Sequence, residues 1–496
     1  MKTTKTILLM LVAICLTSSS KAFALDQTSV RMKGLGTSMQ GIISDDYTDT
    51  IANPARERFW RQKQAIANFG SWSRPVSIGY AAGRIPVFLL AEGAINQSAT
   101  ASNYYSSSPH YYMPANTSAN QSIYSSNYDT GNYGLVAMSG FGSSAFGIGF
   151  GLYYDESKNS SASDSLYESK YIRGTNGETI YQNTGGRKTR SVSYLQNSQA
   201  VLGFHWRNES EVQKDKDLIL RLPFSRNKAR TSTKITSNID YDPDGDGNND
   251  YYGPGNSIST PNKTSSLDSS IDKQNPAYRA GAGVEWRGKK ISKGAKTGYL
   301  LSLLWQPAAL KASTNVHKEA QTVIGATTTT TINFDTLKLL GGKRDSYSGI
   351  LGFGGIWQVQ EKVWLGMGLR AEGTITNTKQ TTLNISSGTP ADSFGFMLDS
   401  FSSTIRFPLL FELPLTTNFM VRGNITSQWY YSKTEQVLTN LYFAPVKQTA
   451  ITSNTSVTYG IGAGYQWKDL TVDIFTDYNI FTVSLYQMLL QCSYKF

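Results

Sequence analysis

From about residue 85 to the end, apolar residues recur at every second position, and this period of two constrains the chain more than any other feature. Val457, Tyr459, Ile461, Ala463, Tyr465 and Trp467 alternate with Thr458, Gly460, Gly462, Gly464 and Gln466. Val363, Leu365, Met367 and Leu369 alternate with Trp364, Gly366, Gly368 and Arg370. Tyr278, Ala280, Ala282, Val284 and Trp286 alternate with Arg279, Gly281, Gly283, Glu285 and Arg287. Side chains on a strand point alternately to its two faces, so each segment presents one apolar face and one polar face. Helical spacing is absent from these stretches. No apolar run near 18 residues occurs beyond residue 24, which excludes a bundle of membrane-spanning helices. The 59 aromatic residues (29 Tyr, 21 Phe and 9 Trp) and a charged fraction of only 17% exclude a disordered chain.

Strands are expected near 85–95, 133–141, 145–155, 191–207, 216–234, 276–288, 296–313, 346–359, 362–376, 401–413, 417–431, 455–467, 469–477 and 485–496. Tight turns such as Gln360-Glu361 join some neighbours. Long Ser/Asn/Thr/Tyr-rich loops are expected at 96–132, 156–190, 235–275, 314–345, 381–400 and 434–452. Short turns at one end and long loops at the other predict a transmembrane antiparallel β-barrel of about 14 strands, with both ends on the periplasmic side. An apolar face against lipid requires closure, because an open edge leaves backbone groups unpaired. Soluble sandwiches, propellers and β-helices share the period, but they have no reason to end on an aromatic. Here Tyr494 and the terminal Phe496 share one face, resembling the signal that barrel-insertion machinery recognises. That machinery and outer-membrane lipid are therefore the expected partners.

The first 24 residues read as an export signal. Lys2 and Lys5 form a positive start, Ile7 to Leu16 an apolar core, and Ala22-Phe23-Ala24 a cleavage site. Ile14 before Cys15 argues against lipid attachment there. Beyond the signal Cys492 is the only cysteine, so no internal disulfide is expected. The formal net charge is +11. An exported chain meets little nucleic acid, so the surplus points to anionic ligands or lipid headgroups.

Between Leu25 and about Pro75 the alternation is poor. Gly34-Leu35-Gly36 is followed by Gly41, Asp45-Asp46 and Asn53-Pro54-Ala55. Gly34 and Gly36 permit close backbone approach or positive φ, and Pro54 fixes φ and makes Asn53 extended or turn-like. In this order the motifs resemble the start of the FadL-like long-chain fatty acid transport family of the outer membrane. The resemblance implies a barrel of about 14 strands with an N-terminal hatch, so the organisation expected is signal 1–24, hatch 25–75 and barrel 76–496. It also implies passive uptake of hydrophobic or amphipathic small molecules. Arg56, Glu57, Arg58 and Phe59 depart from the family, whose members usually continue with small or apolar residues. Related barrels with this hatch serve protein secretion, so a surface interaction or secretion-associated protein is the second reading.

Two candidate ligand sites follow. Asp242, Asp244, Asp246, Asn248 and Asp250 stand at alternate positions of an EF-hand-like loop, with Gly247 at its sharp turn. Position 12 is Gly253 instead of a bidentate Glu, so only weak calcium binding is expected in 242–253, against the alternative of a solvated acidic loop. No other cofactor is expected. The polar strand faces carry Arg221, Arg279, Arg287, Arg370, Arg406 and Arg422 among Glu285, Glu372 and Glu412. Pointing inward, Arg279, Arg370, Arg406 and Arg422 would bind carboxylates or phosphates; the alternative is an Arg–Glu ladder that only holds the barrel in shape. Enzyme signatures are weak. His110, His205 and His317 form no metal-ligand pair, and the near match to a phosphate loop at Gly283–Lys290 lies in an alternating strand.

Overall fold

The structure is a computed structural model. It describes residues 29–495 apart from 60–63, 71–75, 82–87, 110–116, 144, 173–178, 209–211, 242–262, 311–312, 325–326, 362, 387–388, 441–444 and 477–487. The export signal, the Asp242–Asp250 loop and Phe496 lie outside the described residues.

One antiparallel sheet contains every strand among the described residues. Its members are β1 (Gln64–Gly70), β2 (Val76–Ala81), β3 (Phe88–Pro109), β4 (Thr117–Gly142), β5 (Phe146–Ile172), β6 (Thr179–Asn208), β7 (Gln213–Tyr241), β8 (Lys263–Ala280) and β9 (Ala282–Ser292). They continue as β10 (Ala295–Leu310), β11 (Ser313–Ile324), β12 (Thr327–Gln360), β13 (Val363–Ser386), β14 (Thr389–Pro414), β15 (Phe419–Asn440), β16 (Val446–Trp467), β17 (Leu470–Thr476) and β18 (Met488–Lys495). β1 pairs with both β2 and β18, so the sheet closes on itself. β7 pairs with both β8 and β9, and β12 with both β10 and β11. Each of those two couples is a single pass with an interruption. Among the described residues the 18 segments therefore make 16 passes, against the roughly 14 expected. Closure pairs the edges that lipid could not satisfy.

The two ends of the barrel differ. Pro414 connects to Phe419, Ser292 to Ala295 and Trp467 to Leu470 through turns of two to four residues. Lys468 takes φ 51° in the last of these. In the other direction the strands run on, to 34 residues in β12, whereas about 10 cross a bilayer. Much of the sequence expected as long loops is therefore strand. Residues 314–345 lie almost wholly in β11 and β12, and most of 96–132, 156–190, 381–400 and 434–452 continues the flanking strands. The same extension takes in both ends of 235–275. The physical reason is solvent on both faces: Ser, Thr, Asn and Tyr there need no apolar alternation, yet Thr and Tyr still favour extended backbone.

Toward the tight-turn end the faces are inverted relative to a soluble protein. Leu301, Leu303 and Trp305 of β10 stand about half exposed on the outer surface, as do Leu365 and Met367 of β13. Asp217, Arg287 and Lys289 are buried on the inner one. An outer surface this apolar is stable only against lipid, so these passes span a membrane.

Residues 29–59 add no strand. They form α1 (Val30–Gly34), a 3₁₀ turn (Thr37–Met39), α2 (Asp46–Ala52) and a second 3₁₀ turn (Pro54–Phe59). Ser29 caps α1 by accepting from the Met32 amide at 2.9 Å, and Asp45 caps α2 by accepting from the Thr48 amide at 2.9 Å. The first half packs on inward residues of β13 to β18, and the second 3₁₀ turn packs on β4, β5 and β6. Strand pairing begins at Gln64, so β1 and the start of the barrel fall within the 25–75 span expected to be hatch.

Candidate functional site

The meeting of the N-terminal segment with the inner wall gathers the buried charge of the molecule. α2 points Asp49 at β9, where Lys289 Nζ donates to the carboxylate and Arg287 Nη1 lies 3.6 Å away. Lys289 also donates to the Ile43 carbonyl at 3.2 Å. Burial disfavours the charged Asp49 carboxyl, but Lys289, Arg56 and Arg287 outweigh it and hold the group below the ordinary carboxylate range. Arg287 in turn pairs with Glu285, which Arg221 contacts at 3.2 Å.

One turn further on, Asn53 Nδ2 donates to Asp217 at 2.8 Å and to the Phe204 carbonyl at 3.1 Å. Its own Oδ1 accepts from the Ala55 amide at 3.1 Å, which explains the Asn-Pro-Ala order: the side chain closes the turn that Pro54 starts. Arg56 grips Asp217 through Nε at 3.0 Å and Nη2 at 2.7 Å, and reaches Asp215 at 3.6 Å. His205 Nδ1 is 2.8 Å from the same Asp217 carboxylate. Burial works against the Arg56 charge, yet Asp217 and Asp49 raise its pKa above the usual guanidinium range. The wall opposite is glycine for a steric reason. A Cβ at Gly149 would collide with the Pro54 backbone, and one at Gly203 with the Asn53 side-chain oxygen.

The first half of the segment is held differently. Met32, Leu35, Met39, Ile42 and Ile43 form an apolar cluster with Leu300, Ile356 and Leu410 of the wall. Gly36 adopts φ 92°, which an L side chain rarely takes. Gly34 lies against Arg422 and Gly462. Arg31 contacts Glu412 at 3.4 Å, and Arg422 joins Glu412 at 2.9 Å to Asp473 at 2.5 Å. Asn424 Nδ2 donates to the carbonyls of Gly34 at 3.1 Å and Lys33 at 3.4 Å.

Cavities lie at different heights along the barrel. One of about 770 Å³ opens at the tight-turn mouth between Arg31, Asp46, Tyr47, Lys296, Asp473 and Gln491. A second, of about 630 Å³, lies beside the segment, where Lys33, Arg370 and Arg406 face Glu372, Thr426 and Phe475. A third, of about 700 Å³, sits among the strand extensions near Gln121, Tyr167, Glu168 and Glu319.

The structure divides the expected lumen arginines. Arg370 and Arg406 share the middle cavity and clasp Glu372 at 2.6 and 2.7 Å. Arg422 lies under α1 in its own ion pairs. Arg279 on β8 stands apart, opposite Ala308 in the register, and has no ion pair among the described residues. The four do not form one site. Of the acidic pair, Asp45 caps α2, whereas Asp46 is exposed toward the mouth. Tyr494 pairs with Ala65 and Leu470, at the seam where the barrel closes. Sequence reasoning missed Asp49, Arg56, Asp215, Asp217 and Lys289 and left His205 without a role. Asp215, Asp217, His205 and Lys289 occupy the polar alternate positions of their strands, and that alternation was the available signal. Arg56, the departure from the family pattern, is the residue that joins the segment to Asp217.

No family model matches the chain, and no curated protein matches it. Among solved structures, the chain is similar to the toluene transporter TodX of Pseudomonas putida, at 11% identity over 96% of this chain and 99% of that one, with a TM-score of 0.31. It is also similar to the toluene transporter TbuX of Ralstonia pickettii, at 9% identity over 94% and 100%, with a TM-score of 0.28. A FadL homologue of Pseudomonas aeruginosa matches at 11% identity over 96% and 99%, with a TM-score of 0.25.

Proposed function

We propose that the protein is an outer-membrane channel for passive uptake of hydrophobic or amphipathic small molecules, with residues 29–59 as the hatch that closes it. One observation carries this reading: a short-helix segment lies inside a closed barrel, docked on opposite walls, with a cavity at its mouth side and another beside it. A structural filler needs no such cavities. The middle cavity combines Arg370, Arg406 and Lys33 with Phe475, so it suits a molecule with a polar or anionic head and an apolar body. Passage requires the hatch to move, since α1 separates this cavity from the one at the mouth. Nothing in this reading calls for bond chemistry, and the charged groups are engaged with one another. The export signal and the lipid-facing belt support the outer membrane of a Gram-negative-type envelope as the location. Assembly would proceed through the barrel-insertion machinery, read from Tyr494 and Phe496.

The strand extensions favour a second reading, a surface protein whose tall outer rim binds other proteins. Uptake across reconstituted vesicles separates the two. The wild type should admit amphipathic anions slowly, and a variant lacking residues 30–58 should admit them faster while the barrel remains heat-modifiable on gels. If both stay folded and neither admits any apolar or amphipathic solute, the channel reading fails.

A further inference from the structure

On one flank, the outer surface changes from apolar to basic within a single strand. Leu220, Leu222 and Phe224 of β7 are outward and exposed. The next outward positions are Arg226, Lys228, Arg230 and Ser232, with no register slip against β6 or β8. Thr233, of opposite parity, is buried at 6%, as an inward residue should be. Across the β6 ladder, Lys228 pairs with Tyr194 and Ser232 with Arg190, and Tyr194 pairs in turn with Lys158 of β5. Lys158, Arg190, Arg226 and Lys228, with Arg230 between Lys228 and the Arg190 pair, thus share one outward patch on three adjacent strands. Lys158, Arg190 and Lys228 are exposed.

Two aromatic rings fix the patch. Lys158 Nζ lies 5.6 Å from the Tyr194 ring centroid, and the Arg226 guanidinium lies 5.6 Å from that of Tyr278. Arg226 Nε is buried with no hydrogen-bond acceptor among the described residues. Of the outward acids nearby, Glu156 is close enough to Lys158 to offset one of these charges, which leaves the set in cationic excess. Glu156 is engaged by the Tyr154 hydroxyl at 2.6 Å and Gln196 at 3.2 Å, and Asp164 sits opposite Lys188, a further cation. The β14–β16 flank is different. Above its aromatic residues Phe401, Trp429 and Tyr431, Lys433 and Lys447 both close on Glu435, at 2.7 and 2.9 Å.

We propose that Lys158, Arg190, Arg226 and Lys228 form a docking surface for the phosphate-bearing headgroups of lipids packed around the barrel. The patch begins one outward position above the apolar belt, which is where headgroups meet the barrel wall. Tyrosines at that depth have an apolar body in the acyl region and a polar tip in the headgroups. Guanidinium and ammonium groups there meet phosphate without leaving the interface, and each adds to the attraction toward an anionic surface. A soluble polyanion would have no need of the belt beneath.

The test uses the full-length protein in a neutral detergent, titrated with diphosphorylated lipid A and with the same lipid stripped of phosphate. Bound lipid is counted by native mass spectrometry. The variant Lys158→Gln/Arg190→Gln/Arg226→Gln/Lys228→Gln should retain the phosphorylated lipid at least about tenfold more weakly than wild type. The variant Lys433→Gln/Lys447→Gln should retain it as wild type does. Heat-modifiable migration confirms that each variant is folded; if the fourfold variant does not fold, Lys158→Gln/Lys228→Gln takes its place with a smaller loss expected. Equal retention by wild type and patch variant would overturn the proposal. So would equal retention of the phosphate-free lipid, which would assign binding to the apolar belt alone. Capture of soluble heparin with no preference for phosphorylated lipid would overturn it as well.

Discussion

The two halves of the N-terminal segment are fastened to opposite sides of the barrel wall by different balances of the same forces. Residues 30–43 are held chiefly by an apolar cluster in which Met32, Leu35, Met39 and Ile43 are fully buried, with the Arg31–Glu412 ion pair and a few hydrogen bonds around α1 beside it. Residues 45–56 combine an apolar contact, Tyr47 and Ile51 against Val136, Val201 and Ile219, with a dense buried set of carboxylates, guanidiniums and an ammonium, and the glycine wall at Gly149 and Gly203 fixes the approach. Apolar contacts have no preferred direction and weaken gradually as a segment slides. A buried charge that loses its partner is left uncompensated at once. The difference makes the second half an anchor and the first half the part able to move. Arg31, Lys33 and Gly36, which line the two lower cavities, all belong to the movable half.

The largest effect should come from breaking the anchor. Asp217→Ala removes the shared acceptor of Arg56, Asn53 and His205. Loss of one partner from a buried ion pair costs about 3–5 kcal/mol. Amide hydrogen exchange should rise across 45–56 and leave the strands of the barrel protected. Next comes Ile42→Ala in the other half, where truncating a fully buried side chain costs about 2–4 kcal/mol. Exchange should then rise across 30–43 alone. If either variant loosens both halves equally, the segment moves as one body and the anchor is not separate.

Titration sharpens the same contrast. Docking holds the Asp49 carboxyl below the ordinary aspartate value of 3.8. A depressed carboxyl stabilises docking fully above the unfolded value, and that stabilisation is lost as pH falls through the folded value. Loosening of wild-type 45–56 should therefore appear only below about pH 4, whereas Asp49→Asn, which leaves Lys289 unpaired throughout, should be looser already above that pH and change less across it. Pepsin cleavage at stepped acid pH reads this directly. Equal cleavage of wild type and Asp49→Asn at every pH would remove Asp49 from the anchor.

How far the sequence spoke for this structure depended on what surrounds each face. Where lipid lies on one side and packed charge on the other, alternation is strict, and stretches such as 363–370 and 457–467 were legible as strands with the correct faces. Above the membrane, water lies on both sides and alternation loses its cause, so β11 and much of β12 looked like loop. The strand count fell short because β1 and β2 span only seven and six residues, too few to show a period. The Asn-Pro-Ala motif was legible as a turn, but its partners on the wall were not. Phe204 and Asp217 lie more than 150 positions away from Asn53, and nothing local marks such a contact. Arg279, Arg370, Arg406 and Arg422 share the polar parity of their strands, but height along the barrel, which separates them, is invisible without the register.

The smallest expected effect tests whether α1 is the moving part. Asn424 on β15 donates through Nδ2 to the carbonyls of Gly34 and Lys33, at the C-terminal end of α1. It touches none of the anchor, and Asn424→Ala leaves the apolar cluster and every ion pair in place. A typical intramolecular hydrogen bond contributes about 0.5–1.5 kcal/mol, so loss of the pair should shift the position of α1 without undocking it. Exchange at 30–36 should rise by roughly fivefold, which corresponds to about 1 kcal/mol, while 45–56 stays unchanged. Because α1 stands between the middle cavity and the mouth, the same variant should also quicken passage of small amphipathic anions through vesicles. Faster exchange with unchanged passage would place the route elsewhere along the wall. Unchanged exchange would show that the apolar cluster alone positions the helix, and that the movable half is moved by contacts other than this one.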